Sequence, residues 1–217
     1  MSSTEFNCKK IFQNAFEKRY TWPKNFSGYK GSCSFQENNN NVLEGEFVVG
    51  KNFQPKVKNI DDNEVVKMLS SQLFEVVIHR VKKSFNELHS RNDFNYLGES
   101  PKGIEMEVSG KNQGDKYRVK NEKINMVFRK IHGIIIEIFV EDFLNTDNGY
   151  LSCNYSSQQL EPYTLTPKTP KYEYFDNFIY LKNTKLWVLE SRTIKYRNNL
   201  EEKILQQFLF KDLQPIS

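Results

Sequence analysis

Three histidines, three cysteines and a few clustered aromatic and basic residues are what this sequence offers for chemistry. A zinc site needs ligands that converge, commonly at short local spacing such as His-x-x-x-His. His79 and His89 lie on one predicted helix without that spacing, and His132 falls in a predicted turn, so no metal and no cofactor is implied. Cys8, Cys33 and Cys153 form no Cys-x-x-Cys pair, which reads as reduced, mostly buried thiols. Neither a Gly-x-Ser-x-Gly elbow nor a Gly-x-Gly-x-x-Gly loop occurs. Gly110-Lys-Asn-Gln-Gly114 lacks the Gly-Lys-Ser/Thr ending of a phosphate loop and reads as a turn. No catalytic residue can be named.

Binding groups are easier to find. Arg19-Tyr20-Thr21-Trp22-Pro23 places a guanidinium and two amphipathic rings where the first helix should meet the sheet. Such groups line ligand mouths well, and they plug the end of a sheet equally well. Tyr20 and Trp22 are the candidate rim of a ligand site, with Ile134, Ile136 and Ile138 as its apolar lining on one strand face and Val127 nearby across a hairpin. His79 and Lys83, at i, i+4 spacing, are a candidate anion-binding pair, against the plainer reading of two solvated helix positions. Glu137 interrupts an apolar strand, either as a solvent-facing residue or as a buried carboxylate of altered pKa.

The elements that must position these residues follow from periodicity. Ser2 and Glu5 suit a capping box for a helix whose apolar face is Cys8, Ile11, Phe12, Ala15 and Phe16. Tyr29 to Phe35 and Val42 to Val49 alternate as a hairpin across the Asn38–Asn41 turn. A long helix from about Asp62 to Leu88 carries the stripe Val66, Leu69, Leu73, Val77, Val81, Phe85 and Leu88. Nine further strands are predicted, among them Ile124 to Lys130 and Ile134 to Asp142 joined by a tight His132-Gly133 turn. Trp187 alternates like a core strand residue, and residues 156–176 form a long loop with Pro162, Pro167 and Pro170.

The fold class is therefore α+β: a strongly curved antiparallel sheet, an open or half-closed barrel, with an N-terminal helix and one long helix on its concave face. Residues 1–217 read as a single domain. A single alanine, Ala15, and 14% aromatic residues favour strands over helices and exclude disorder. The net charge of +4 is well mixed along the chain and gives no support to nucleic-acid binding. The apolar run 131–140 is broken by His132 and Glu137 and is too short for a membrane span. The opening residues lack a signal-peptide pattern, so a cytoplasmic location is expected.

Several segments carry a resemblance. Arg19-Tyr-Thr-Trp-Pro-Lys-Asn-Phe-Ser-Gly-Tyr29, His79-Arg80 with Ser84-Phe85, Gln113-Gly-Asp-Lys-Tyr117, Ile131-His-Gly133 and Gly149-Tyr-Leu151 occur in that order. Together they resemble a mainly cyanobacterial family with a domain of unknown function, 3386. The chain departs from it at Phe128, before Arg129, where a histidine is expected. The resemblance implies a lineage and no activity. The order of elements is also similar to the half-barrel of periplasmic lipoprotein carriers. Three function classes follow: a carrier or chaperone for an apolar small molecule such as a lipid or photosynthetic pigment, a protein-binding assembly or regulatory factor, and an enzyme with an unrecognised site. An apolar cavity lined by aromatic and branched residues favours the first, a filled core with an exposed aromatic patch the second, and convergent polar groups with shifted pKa values the third.

Overall fold

The computed structural model of the chain describes residues 7–181 and 183–216. Its helices are α1 (Cys8–Glu17), α2 (Asn63–Arg80) and α3 (Phe85–His89). The first strands are β1 (Tyr29–Glu37), β2 (Leu43–Val49), β3 (Pro55–Lys58), β4 (Asn92–Ser100), β5 (Gly103–Gly110) and β6 (Lys116–Lys120). Six more follow: β7 (Lys123–Ile131), β8 (Ile134–Thr146), β9 (Gly149–Leu160), β10 (Tyr172–Leu181), β11 (Leu186–Arg197) and β12 (Lys203–Pro215). The class is the expected one: few helices and a large antiparallel sheet that is not closed. The residues fall into two compact units.

Unit 1 takes the chain up to Tyr20 and then Lys83–Tyr172. Its strands run in the order β9-β8-β7-β6-β5-β4, every neighbour antiparallel. Tight turns set that order. His132 and Gly133 have φ of 49° and 79°, and Asn121 and Glu122 have 49° and 55°. Two consecutive positive φ values are what a two-residue hairpin needs to match strand twist. Helix α1 is capped by Asn7, whose Oδ1 accepts from the Lys10 N–H; Ser2 and Glu5 lie outside the described residues. The helix buries Cys8, Phe12, Ala15 and Phe16 and packs on β4, β6 and β7. The Phe12 ring lies 4.6 Å from Phe94 and 4.5 Å from Tyr117. After α1 the chain runs beside β9: the Tyr150 N–H donates to Lys18 O, and the Tyr20 N–H donates to Tyr150 O. Gly149 permits this approach, because a Cβ there would meet Lys18 O at 2.3 Å.

Unit 2 holds Thr21–Lys82 and the chain from Glu173 on, with strand order β3-β2-β1-β12-β11-β10. Asp62 caps α2 through Oδ1, which accepts from the N–H groups of Glu64 and Val65. The helix buries Val65, Leu69, Leu73, Val76 and Val77. The edge strand β3 is absent from the sequence reading. It is four residues long and opens on Pro55, which cannot donate to a ladder and so suits a strand start.

Two expectations need correction. The long helix stops at Arg80: Val81 is extended, with ψ 121°, and Ser84 starts α3 with a capping box to Glu87. The stripe accordingly shifts to Val65 and Val76, Val66 and Val81 are only half-buried, and Leu88 is exposed. The irregular stretch 156–176 shrinks to 161–171. Serines and glutamines hide the strand period there, yet Ser157 and Gln159 pair with Ile138 and Ile136 of β8. The loop also folds back on its base, the Lys168 N–H donating to Gln159 O at 2.8 Å.

Candidate functional site

The expected rim does not face solvent. Tyr20 is 2% exposed and Trp22 1%, so both are core residues. Trp22 satisfies its indole N–H on Trp187 O at 3.0 Å and meets Phe26, Tyr29 and Phe53. Both the aromatic surface and the single donor of an indole are thereby used inside unit 2. Trp187 itself is half-buried and lies 4.1 Å from Tyr180. His79 is exposed in the last turn of α2, whereas Lys83 lies beyond the helix end. The helical spacing that would align them is therefore absent.

The isoleucine row stands as a row. Residues paired across a ladder share a face, and Tyr117 pairs with Val127, which pairs with Ile138. Ile134, Ile136 and Ile138 therefore lie on the α1 side of unit 1, on a strand past the ones α1 packs on, and all three are half-buried. Glu137 points to the other face with Ile135 and Phe139 and is also half-buried. An open groove of about 660 Å³ lies on that other face, lined by Arg118, Lys120, Lys123, Phe139 and Phe143 among others.

Beside the isoleucines sits a polar cluster. Asp115, just before β6, is buried and accepts from Arg129 Nε at 3.1 Å, from the Lys130 N–H at 3.2 Å and from the Tyr117 hydroxyl at 3.4 Å. Burial pushes its carboxyl pKa up, opposed by Arg129. Arg129 pairs with Ile136 across the β7–β8 ladder, and its side chain is 40% exposed. Arg19 follows α1, with its Nε donating to Phe16 O at 3.0 Å and its Cζ 3.7 Å above the Phe16 ring. Burial lowers its pKa. His89 is buried among Phe12, Phe16 and Phe85, and its Nδ1 accepts from Asn92 Nδ2 at 3.0 Å. Burial first, then the charges of Arg129 and Arg19, push its pKa down to about 4. Tyr117 is pushed well up by burial, and the Cys33 thiol up to about 11 by the same cause. His89 is therefore neutral, and Cys33 a protonated thiol, near neutral pH. What the cluster offers is fixed donors.

A family model described as "Protein of unknown function (DUF3386)" matches residues 3–216. The chain belongs to this family. Among solved structures, a LolA superfamily protein, NE2245 from Nitrosomonas europaea, is similar at 6% identity, with 98% of this chain and 94% of that one covered and a TM-score of 0.25. No curated protein matches the chain.

The DUF3386 chain carries a second buried arginine–aspartate pair, in unit 2. Arg192 and Asp176 face each other across the β10–β11 ladder and form two parallel bonds of 2.7 Å. Arg192 Nη1 also donates to Gln72 Oε1 and Glu75 Oε2 on α2, at 2.8 and 3.1 Å. This arginine ties the helix to the strands. Sequence reasoning singled out neither pair. The available signal was an acidic and a basic residue each interrupting an apolar strand, at Asp176 and Arg192 and again at Arg129. Among the described residues no group of three or more His, Cys, Asp or Glu side chains converges as a metal site, and no helix is long and apolar enough to cross a membrane.

Proposed function

We propose that this DUF3386 chain holds an apolar small molecule, as a carrier or chaperone, on the α1-side face of unit 1. The observation that carries the reading is the row Ile134, Ile136 and Ile138, which continues the face of a packed core yet keeps partial exposure. Accessible apolar side chains beside a filled core are what an apolar ligand would bury. Tyr20 and Trp22 have no part in this reading.

Calorimetric titration with dodecanol, an uncharged alkyl ligand, tests it. Binding with a negative heat-capacity change is expected, weakened in Ile136→Glu. Absence of dodecanol binding, together with absence of Nile red binding, would overturn it. A second reading has one observation in its favour. Phe74 and Ile78 stand one turn apart on α2 in unit 2, 38% and 43% exposed, beside a shallow groove with Pro55, and suit a protein partner.

A further inference from the structure

The charges of unit 1 do not balance around its polar cluster. Asp115 is the one carboxylate that Arg129 touches, and it is already shared with the Lys130 N–H and the Tyr117 hydroxyl. Arg129 spends only Nε on it, and its two terminal nitrogens meet no protein acceptor among the described residues. Arg19 spends Nε on Phe16 O and stacks on the Phe16 ring, with no carboxylate at ion-pair distance among the described residues. Both arginines act electrostatically on the same two neighbours, His89 and Tyr117, so their charges bear on one place. A half-buried guanidinium without a counter-ion, as at Arg19, is costly, and an anion bound there would remove that cost, while Arg129 adds its open terminal nitrogens beside it.

We infer that Arg129 and Arg19 form a head-group site for a carboxylate or a phosphate monoester, so that the molecule held on this face is an amphipathic acid. The inference rests on the carrier reading above and names the chemical class of the ligand. The planar guanidinium fork suits both anions, which accept two parallel N–H bonds. Asp115 holds Arg129 by Nε and leaves the outer edge of the fork for the ligand. His89, whose Nδ1 accepts from Asn92, carries its proton on Nε2 as a neutral donor. Arg129 stands directly opposite Ile136 across the β7–β8 ladder, so a head group there meets its chain at the row Ile134, Ile136, Ile138. Cation beside apolar row is the arrangement an amphipathic acid requires.

The test is calorimetry on the full chain with dodecanoate, dodecyl phosphate, dodecanol and inorganic phosphate. Both acids should bind about tenfold or more tightly than dodecanol, the scale of one charge-assisted hydrogen bond. Which acid binds better decides between carboxylate and phosphate. Arg129→Gln alone would strip buried Asp115 of its ion pair. The variants are therefore Arg19→Gln, and Asp115→Asn combined with Arg129→Gln, which removes the pair whole. In each, the preference for the acids over dodecanol should collapse. If dodecanol matches the acids in the native protein, the head-group inference is overturned and the carrier reading stands. If inorganic phosphate binds and no alkyl compound does, or if nothing binds, the carrier reading falls and the amphipathic acid with it.

Discussion

Unit 1 and unit 2 each bury an aspartate against an arginine, and the two pairs are finished differently. In unit 2, Arg192 is 2% exposed and places its N–H groups on Asp176, Gln72 and Glu75. In unit 1, Asp115 is as well buried, but Arg129 reaches it with a single nitrogen and leaves the rest of the fork open at 40% exposure. An arginine whose donors are all met inside the protein fixes packing. One that is oriented by a buried carboxylate and keeps open, partly exposed donors leaves them to solvent or, on the proposal above, to a ligand. On that proposal the contrast separates a structural ion pair from a recognition one without appeal to charge alone, since each pair has one arginine and one aspartate.

The largest effect expected from this comparison is on stability in unit 2. Arg192→Ala leaves Asp176 buried without its partner and should cost about 3 to 5 kcal/mol in denaturant unfolding. Arg129→Ala should cost clearly less, about 1 to 3 kcal/mol, because Asp115 keeps the Lys130 N–H and the Tyr117 hydroxyl. Equal losses would erase the distinction between the pairs.

A further effect concerns His89, which is buried and feels Arg129 and Arg19. Its pKa is about 4 when folded against 6.5 as the reference value. The unfolded chain therefore takes up a proton near pH 6.5, while the folded chain refuses it until about pH 4. The stabilising contribution is complete above pH 6.5, shrinks as pH falls through that window and is gone below about pH 4. Its size is at most about 3 kcal/mol. Unfolding curves between pH 7 and pH 4 should thus fall more steeply for the native protein than for His89→Leu. Parallel curves would show that His89 is not held neutral by Arg129, Arg19 and burial.

How much of this could be read beforehand depended on the range of the interaction. The His132-Gly133 turn was legible because a two-residue hairpin states itself in two adjacent residues, and the strands on either side followed from alternation. The end of α2 was not, because Val81, Phe85 and Leu88 continue the apolar stripe across a break. The local sign of that break, Ser84 with Glu87 three residues on, is a capping box of the kind assigned to Ser2 and Glu5 instead. Tyr20 and Trp22 have the chemistry of a rim and the position of a core, and burial is not encoded in residue type. The isoleucine row was found, since period 2 reveals a face. The Asp115–Arg129 and Asp176–Arg192 partnerships required strand register, which depends on where bulges fall, such as the one between Asn177 and Phe178.

The most direct measurement of the central claim follows the arginine side-chain NMR signals while dodecanoate is added to the full chain. Arg129 and Arg19 should shift in proportion to the ligand bound, while Arg192, already saturated by Asp176, Gln72 and Glu75, stays in place. Shifts of Arg192 equal to those of Arg129, or binding that leaves Arg129 and Arg19 unmoved, would contradict the assignment of unit 1 as the recognising half of the molecule.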